Sequence, residues 1–251
     1  MNIQDFYIVD RETGAQSNNI PLWANRGANP AGLAQNQGQE LNSPVSLKPI
    51  PQVPGAFQLL NVLSKDECRA LIDIAESLQF NPDAAVSLPR SVRHNDSLTW
   101  VIDQTTEATI WNRCKDVMAN GIEAIGGLAP VGINARFRFY KYSQGDFFKP
   151  HTDGAWPGSK IIDGKNIFNA YEDRYSQMTF LILLSEDFQG GDTQFFLNKE
   201  VGDKEQVNIR TPAGGVLCFP HGHHPLHCLH SSETVTQGTK YIIRTDLLFP
   251  L

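Results

Sequence analysis

This chain is short of several things, and each shortage removes a class of protein. No window holds the roughly 18 uninterrupted apolar residues that a membrane helix needs, so no membrane partner is expected. The opening MNIQDFYIVDRETG lacks a basic start followed by an apolar run, and no secretory signal is expected. Four cysteines, Cys68, Cys114, Cys218 and Cys228, form no CxxC pair. They predict a reduced set in a cytoplasmic protein rather than a disulfide framework. Positive charge is also scarce. With 21 Lys and Arg against 27 Asp and Glu, the net charge is −6. Proteins that live on nucleic acid normally show a basic face, so nucleic acid is not expected as a partner. No glycine-rich loop follows a strand and opens a helix, which leaves nucleotide binding without support. No internal repeat is visible.

What remains has the composition of an ordinary globular protein, 41% hydrophobic and 19% charged over 251 residues. Residues 1–52 form a polar N-terminal segment. From Ser17 to Gln52, Asn, Gln, Gly, Pro and Ala dominate without apolar period, which predicts a loosely ordered stretch. The main domain is expected over 53–251. Its helical part spans about 64–126. There, Ser64 followed by Glu67 makes a capping box ahead of the stripe Leu71, Ile72, Ile74 and Ala75. A second helix is predicted over 107–125, and LPRSVRHNDSLTW between the two helices reads as a loop. A strand-rich part follows over about 134–250: ARFRFYKY, MTFLILLS, TQFFL, GGVLCFP and KYIIRTDLLF, separated by turn formers. The fold class is mainly β with flanking helices, a barrel or double-sheet jelly roll.

Five of the seven histidines crowd into HGHHPLHCLH, His221 to His230. Imidazole suits several metals, so the cluster alone names none. A loop wrapped around structural zinc is one reading, that of a non-catalytic jelly-roll binding module. Upstream, FFKPHTDGAW offers His151 and Asp153 two apart, which a strand projects to one face. With a second histidine on that face, the set becomes the two-histidine, one-carboxylate triad of non-heme Fe(II) oxygenases.

An HxD alone occurs often by chance. Here it sits in YKYSQGDFFKPHTD, with FQGGDTQF, RTPAGGVLCFP and HSSETVTQGTKYIIRTDLLF following in that order. Together these resemble the prolyl 4-hydroxylase-like 2-oxoglutarate/Fe(II) dioxygenases, over residues 55 to 249. The resemblance implies a double-stranded β-helix core and an iron site of His151, Asp153 and His230. His230 lies ten residues before Lys240, the family's spacing, and His227 and His224 do not fit it. Lys240 is then implied to hold the far carboxylate of 2-oxoglutarate, with the Tyr142 hydroxyl assisting.

On the closing strand, Lys240, Ile242, Arg244 and Asp246 share one face, too polar for packing surface and so assigned to the barrel interior. Arg244 has two readings, a second cofactor contact or a partner of Asp246. Arg138 and Tyr140 share a face with Tyr142 and are expected to line the pocket. Arg138 either binds an acidic group of the substrate or sits in an internal salt bridge. Thr179 and Leu181 read as barrel wall. His221, His223, His224 and His227 read as a polar loop near the site mouth, with His227 also a candidate for substrate contact.

The resemblance implies Fe(II) and 2-oxoglutarate as cofactors, O2 as co-substrate and ascorbate as a candidate reductant. It implies hydroxylation of a C–H bond coupled to decarboxylation of 2-oxoglutarate to succinate and carbon dioxide. A prolyl residue in a peptide or protein is the first expected substrate, and a free amino acid or other small molecule the second.

Overall fold

The structure is a computed structural model describing residues 3–17, 19–35, 43–82, 84–85, 88–121, 129–197 and 205–251. Two sheets face one another, antiparallel except where 20–25 pairs parallel with 96–101. In the main sheet, of ten strands, the order is 6–12, 20–25, 96–101, 136–142, 240–250, 174–183, 216–220, 57–60 and 46–49, with 132–133 pairing off the closing strand. The second sheet has five strands in the order 206–209, 193–196, 230–232, 147–151 and 93–94. This is the expected jelly-roll architecture with helices α1 (Lys65–Leu78) and α2 (Gln104–Gly121) flanking it.

Alternation along the strands explains where the helices go. Phe137, Phe139, Phe180, Ile182 and Ile243 point to one side of the main sheet. They pack with Leu71, Ile74 and Leu78 of α1 and Ile110, Cys114 and Met118 of α2 in one cluster. The residues between them in sequence, Tyr140, Tyr142, Leu181, Leu183 and Ile242, point the other way and pack with Phe195 and Phe219 between the sheets. Strands covered on both faces read as near-continuous apolar runs, and this is why MTFLILLS and KYIIRTDLLF stand out in the sequence.

The capping box on α1 is present. Ser64 Oγ accepts from the Glu67 backbone N–H at 3.2 Å, and the Ser64 N–H donates to Glu67 Oε2 at 2.8 Å. Helix α2 starts earlier than its apolar stripe indicated. The Asp103 carboxylate accepts from the N–H groups of Thr105 and Thr106, at 3.0 and 3.1 Å, a cap set ahead of the first apolar position. The far end of the predicted helix, 122–125, lies outside the described residues.

Two expectations are corrected. The stretch read as a loop between the helices contains the strand Asp96–Val101, paired with both 20–25 and 136–142. Its signal was the alternation Ser97, Leu98, Thr99, Trp100. Leu98 and Trp100 join the helix-side cluster, and the hydroxyl residues face the other way. The N-terminal segment also contributes strands, Phe6–Glu12, Ile20–Asn25 and Ser46–Pro49. Ile20, Leu22 and Ala24 alternate inward and are buried, a short period-2 signal hidden in a polar composition.

Glu67 does more than cap. Its carboxylate takes both Arg113 Nη atoms at 2.6 and 2.9 Å and the Ala34 N–H at 2.9 Å. Burial opposes ionisation of Glu67, but Arg113 and these N–H donors outweigh it and hold the carboxyl below its ordinary value. Replacing Arg113 by Ala leaves a buried, uncompensated carboxylate. The expected cost is about 3–5 kcal/mol in urea unfolding at neutral pH. Because the folded pKa is depressed, that cost is fully expressed above the ordinary carboxylate pKa. It shrinks as pH falls through the folded value. A cost that does not change with acidification would refute this pairing.

Candidate metal centre

The strand Phe147–His151 lies beside His230–Ser232, with His151 directly opposite His230 in register. This pairing brings residues 79 positions apart to one spot, with ring centroids 4.2 Å from each other. Asp153, two residues past His151, completes the group. His151 Nε2 and His230 Nε2 each lie 3.8 Å from an Asp153 oxygen. The three ligand atoms fall within 4.8 Å of one another, and no other such group occurs among the described residues.

Hydrogen bonds set which nitrogens face the centre. His151 Nδ1 is 2.8 Å from the Lys149 carbonyl and His230 Nδ1 is 3.2 Å from the Cys228 carbonyl. A carbonyl only accepts, so each Nδ1 carries the proton and each Nε2 presents a lone pair. Burial, helped by the second imidazole, pushes the His151 pKa down to about 4, and burial likewise lowers that of His230. For Asp153, burial alone would raise the carboxyl. Arg244 and the nearby histidines outweigh it and hold the group well below the usual carboxylate range. Two neutral imidazoles and one carboxylate on one side of a cavity form a donor set that suits Fe(II) with open positions for other ligands.

Beneath Asp153 lies a directional chain that the sequence reading did not find. Thr179 Oγ is 2.6 Å from Asp153 Oδ2 and 2.9 Å from His221 Nδ1. The ionised carboxylate can only accept, so the Thr179 hydroxyl donates to it and accepts from His221 Nδ1–H. His221 Nε2 must then accept from Ser176 Oγ at 3.0 Å, which itself accepts the Trp156 N–H at 2.7 Å. Thr179 is therefore not plain barrel wall, and His221 is not part of an exposed loop: it is 1% exposed. Its signal was its place directly after the buried strand Val216–Pro220. His223 is exposed. His227 Nδ1 bonds the His224 carbonyl at 3.1 Å, and the residue is not among those lining the cavity.

The cavity measures about 280 Å³ and opens onto the triad, with Tyr140, Tyr142, Trp156 and Phe219 among its walls. Lys240 also lines it, on the closing strand opposite Tyr142. Its Nζ donates to the Gly191 carbonyl at 2.6 Å and the Ser232 hydroxyl at 3.0 Å, and lies 5.2 Å from the Tyr142 ring centroid. Gly190 and Gly191 both have φ of +66°, a turn glycine tolerates best, and it aims this carbonyl inward. Among the described residues Lys240 has no carboxylate partner. Burial, with Arg210 nearby, pushes its pKa down to about 7. Arg244 is differently placed. It pairs with Asp246 at 3.1 Å and stands 3.5 Å from Asp153.

A double-stranded β-helix with a His–Asp–His cluster at the cavity defines a class, and comparison with known proteins agrees. Residues 137–245 match the model of the 2OG-Fe(II) oxygenase superfamily. Several solved structures are similar. A prolyl hydroxylase from Trichoplax adhaerens, in complex with a hypoxia inducible factor peptide fragment, is 15% identical with a TM-score of 0.53, over 78% of this chain and 83% of that one. A Pseudomonas putida prolyl-4-hydroxylase is 18% identical at TM-score 0.48, over 77% and 91%. The viral collagen prolyl hydroxylase of Paramecium Bursaria Chlorella virus-1 is 16% identical at 0.49, over 78% and 97%. No curated protein matches. The Trichoplax likeness shows the fold. Residues 137–245 thus match a 2OG-Fe(II) oxygenase domain, set on a prolyl 4-hydroxylase-like fold, and the match indicates a dioxygenase.

His221 gives a pH test of the chain. Burial pushes its pKa down to about 4. The unfolded chain takes up this proton near pH 6.5, so the stability of the metal-free protein is expected to fall from about pH 6.5 towards pH 4. His221→Gln should flatten that decline in urea unfolding. An unchanged slope would show that His221 is not held neutral.

Proposed function

We propose that His151, Asp153 and His230 hold Fe(II) and that Lys240 anchors the far carboxylate of 2-oxoglutarate, with the Tyr142 hydroxyl beside it. One arrangement carries this reading: three metal donors and a buried lysine with no ion-pair partner among the described residues line the same cavity. Bound iron and 2-oxoglutarate would supply oxygen activation, with 2-oxoglutarate leaving as succinate and carbon dioxide and one oxygen atom entering a substrate C–H bond. The chain's own residues orient and exclude. Each Nδ1–H bond to a carbonyl fixes an imidazole ring, the Thr179 hydroxyl fixes one Asp153 oxygen, and the aromatic walls keep water from the reacting carbon. Arg244 is less suited than Lys240 to the cofactor, because its charge is already matched by Asp246 and Asp153.

The first substrate in this reading is a prolyl residue in a peptide or protein, with ascorbate as the reductant that keeps iron ferrous. A cytoplasmic setting belongs to the same reading and is supported by four unbridged cysteines. The structural-zinc module has less to support it. His221 is committed to Thr179 and Ser176, and the remaining loop histidines do not gather around one point.

Asp153→Ala is expected to abolish succinate formation while the protein stays folded; near-normal turnover would refute the iron site. His230→Ala should remove Fe(II) binding at micromolar metal, whereas His223→Ala should not. Lys240→Ala is expected to raise the Michaelis constant for 2-oxoglutarate by about tenfold to a hundredfold, the worth of a charge-assisted bond, with iron affinity little changed. A larger effect from Arg244→Ala, read in the same titration at saturating iron, would move the cofactor anchor to Arg244.

A further inference from the structure

Arg138, Lys240 and Arg244 line the cavity with one carboxylate, that of Asp153, among the described residues. Behind them stands the fully buried Asp246, which Arg244 meets at 3.1 Å and the Asn134 amide at 3.2 Å. Asp153 and Asp246 match Arg244 at 3.5 and 3.1 Å, and leave Arg138 without a hydrogen-bonded acid. Loading Fe(II) and 2-oxoglutarate does not supply one, because a divalent cation and a dicarboxylate cancel each other and Lys240 takes the far carboxylate in the proposed reading. Buried charge without a hydrogen-bonded partner is costly, so Arg138 points to an anion from outside.

Arg138 is 5% exposed and makes no hydrogen bond among the described residues, and its Nη1 is buried without a partner. Its one acid among the described residues, Asp246, is 3.9 Å away, beyond hydrogen-bond reach, and that oxygen already accepts from Asn134. Its register partner on the neighbouring strand is Arg244, so two guanidinium groups stand side by side. Burial, then Arg244, push the Arg138 pKa down to about 10; it stays charged at neutral pH. The guanidinium rests 5.0 Å from the centroid of Trp156, a cavity wall. Arg93 stacks over Tyr140, which shares a strand face with Arg138, at 5.5 Å.

We propose that the substrate brings a carboxylate into this cavity and that Arg138 is the residue that binds it. The inference rests on the oxygenase reading and adds the substrate class. The substrate is a carboxylic acid hydroxylated on its carbon skeleton, or a peptide with an acidic group beside the reacting residue. Tyr140, Trp156 and Phe148 offer apolar surface for the carbon skeleton, and a planar guanidinium matches a carboxylate through two parallel bonds.

The test is calorimetric binding without oxygen to protein loaded with Fe(II) and 2-oxoglutarate. The probes are matched pairs. L-proline against L-prolinamide reads a free acid, and acetyl-Glu-Pro-Glu-amide against acetyl-Gln-Pro-Gln-amide reads an acidic peptide. In at least one pair the acid is expected to bind about tenfold to a hundredfold more tightly than its neutral partner. Arg138→Met should erase that preference and Arg138→Lys retain part of it. Both variants should keep the wild-type affinity for 2-oxoglutarate, which a misfolded or cofactor-damaged protein would not. Neutral partners binding as well as acids, no acid binding at millimolar concentration, or an undiminished preference in Arg138→Met would each overturn the proposal. Iron and 2-oxoglutarate binding are measured first in the same cell. Their loss in the wild type would instead sink the oxygenase reading of the cavity.

Discussion

An ionised carboxylate inside a β-sandwich is costly unless cations and donors surround it, and Asp153 sets this condition for the whole interior. Arg244, His151 and His230 lie within 4 Å of its oxygens, and Thr179 donates to it. Each of these residues sits where strand alternation turns it inward. Arg244 in turn requires Asp246, and Asp246 requires Asn134. The polar interior is one connected network, walled by Tyr142, Phe195, Leu181 and Phe219.

The outer face of the same sheet has the opposite chemistry. Phe137, Phe139, Phe180 and Ile243 are packed under α1 and α2 and supply the apolar burial that dominates folding. One sheet thus does two jobs through a period of two residues. The ion pair of Glu67 with Arg113 locks the two helices to each other, away from the His–Asp–His cluster. The apolar burial that dominates folding and the polar site thus lie on opposite faces of one sheet.

Much of this was legible in the sequence, and the reasons differ by element. The strands 136–142, 174–183 and 240–250 were readable because burial on both faces makes long apolar runs. The triad was readable because HxD needs only local spacing, and its third member came from the family spacing to Lys240. The strand Asp96–Val101 was missed because its inward face carries Ser97 and Thr99, and polar composition masked the alternation. The chain from His221 through Thr179 to Asp153 could not be read, because it joins residues 26 and 42 positions apart through hydroxyl geometry. An inward-facing hydroxyl at Thr179, between Phe180 and Met178 on a buried strand, was the one available sign.

The central claim is that these inward faces build a site for iron and 2-oxoglutarate together. Anaerobic equilibrium dialysis with Fe(II) and labelled 2-oxoglutarate tests it most directly. The account requires one equivalent of iron per chain, and one of 2-oxoglutarate that binds tightly only when iron is present. Metal retained after all three of His151, Asp153 and His230 are replaced, or 2-oxoglutarate that binds equally without iron, would contradict it.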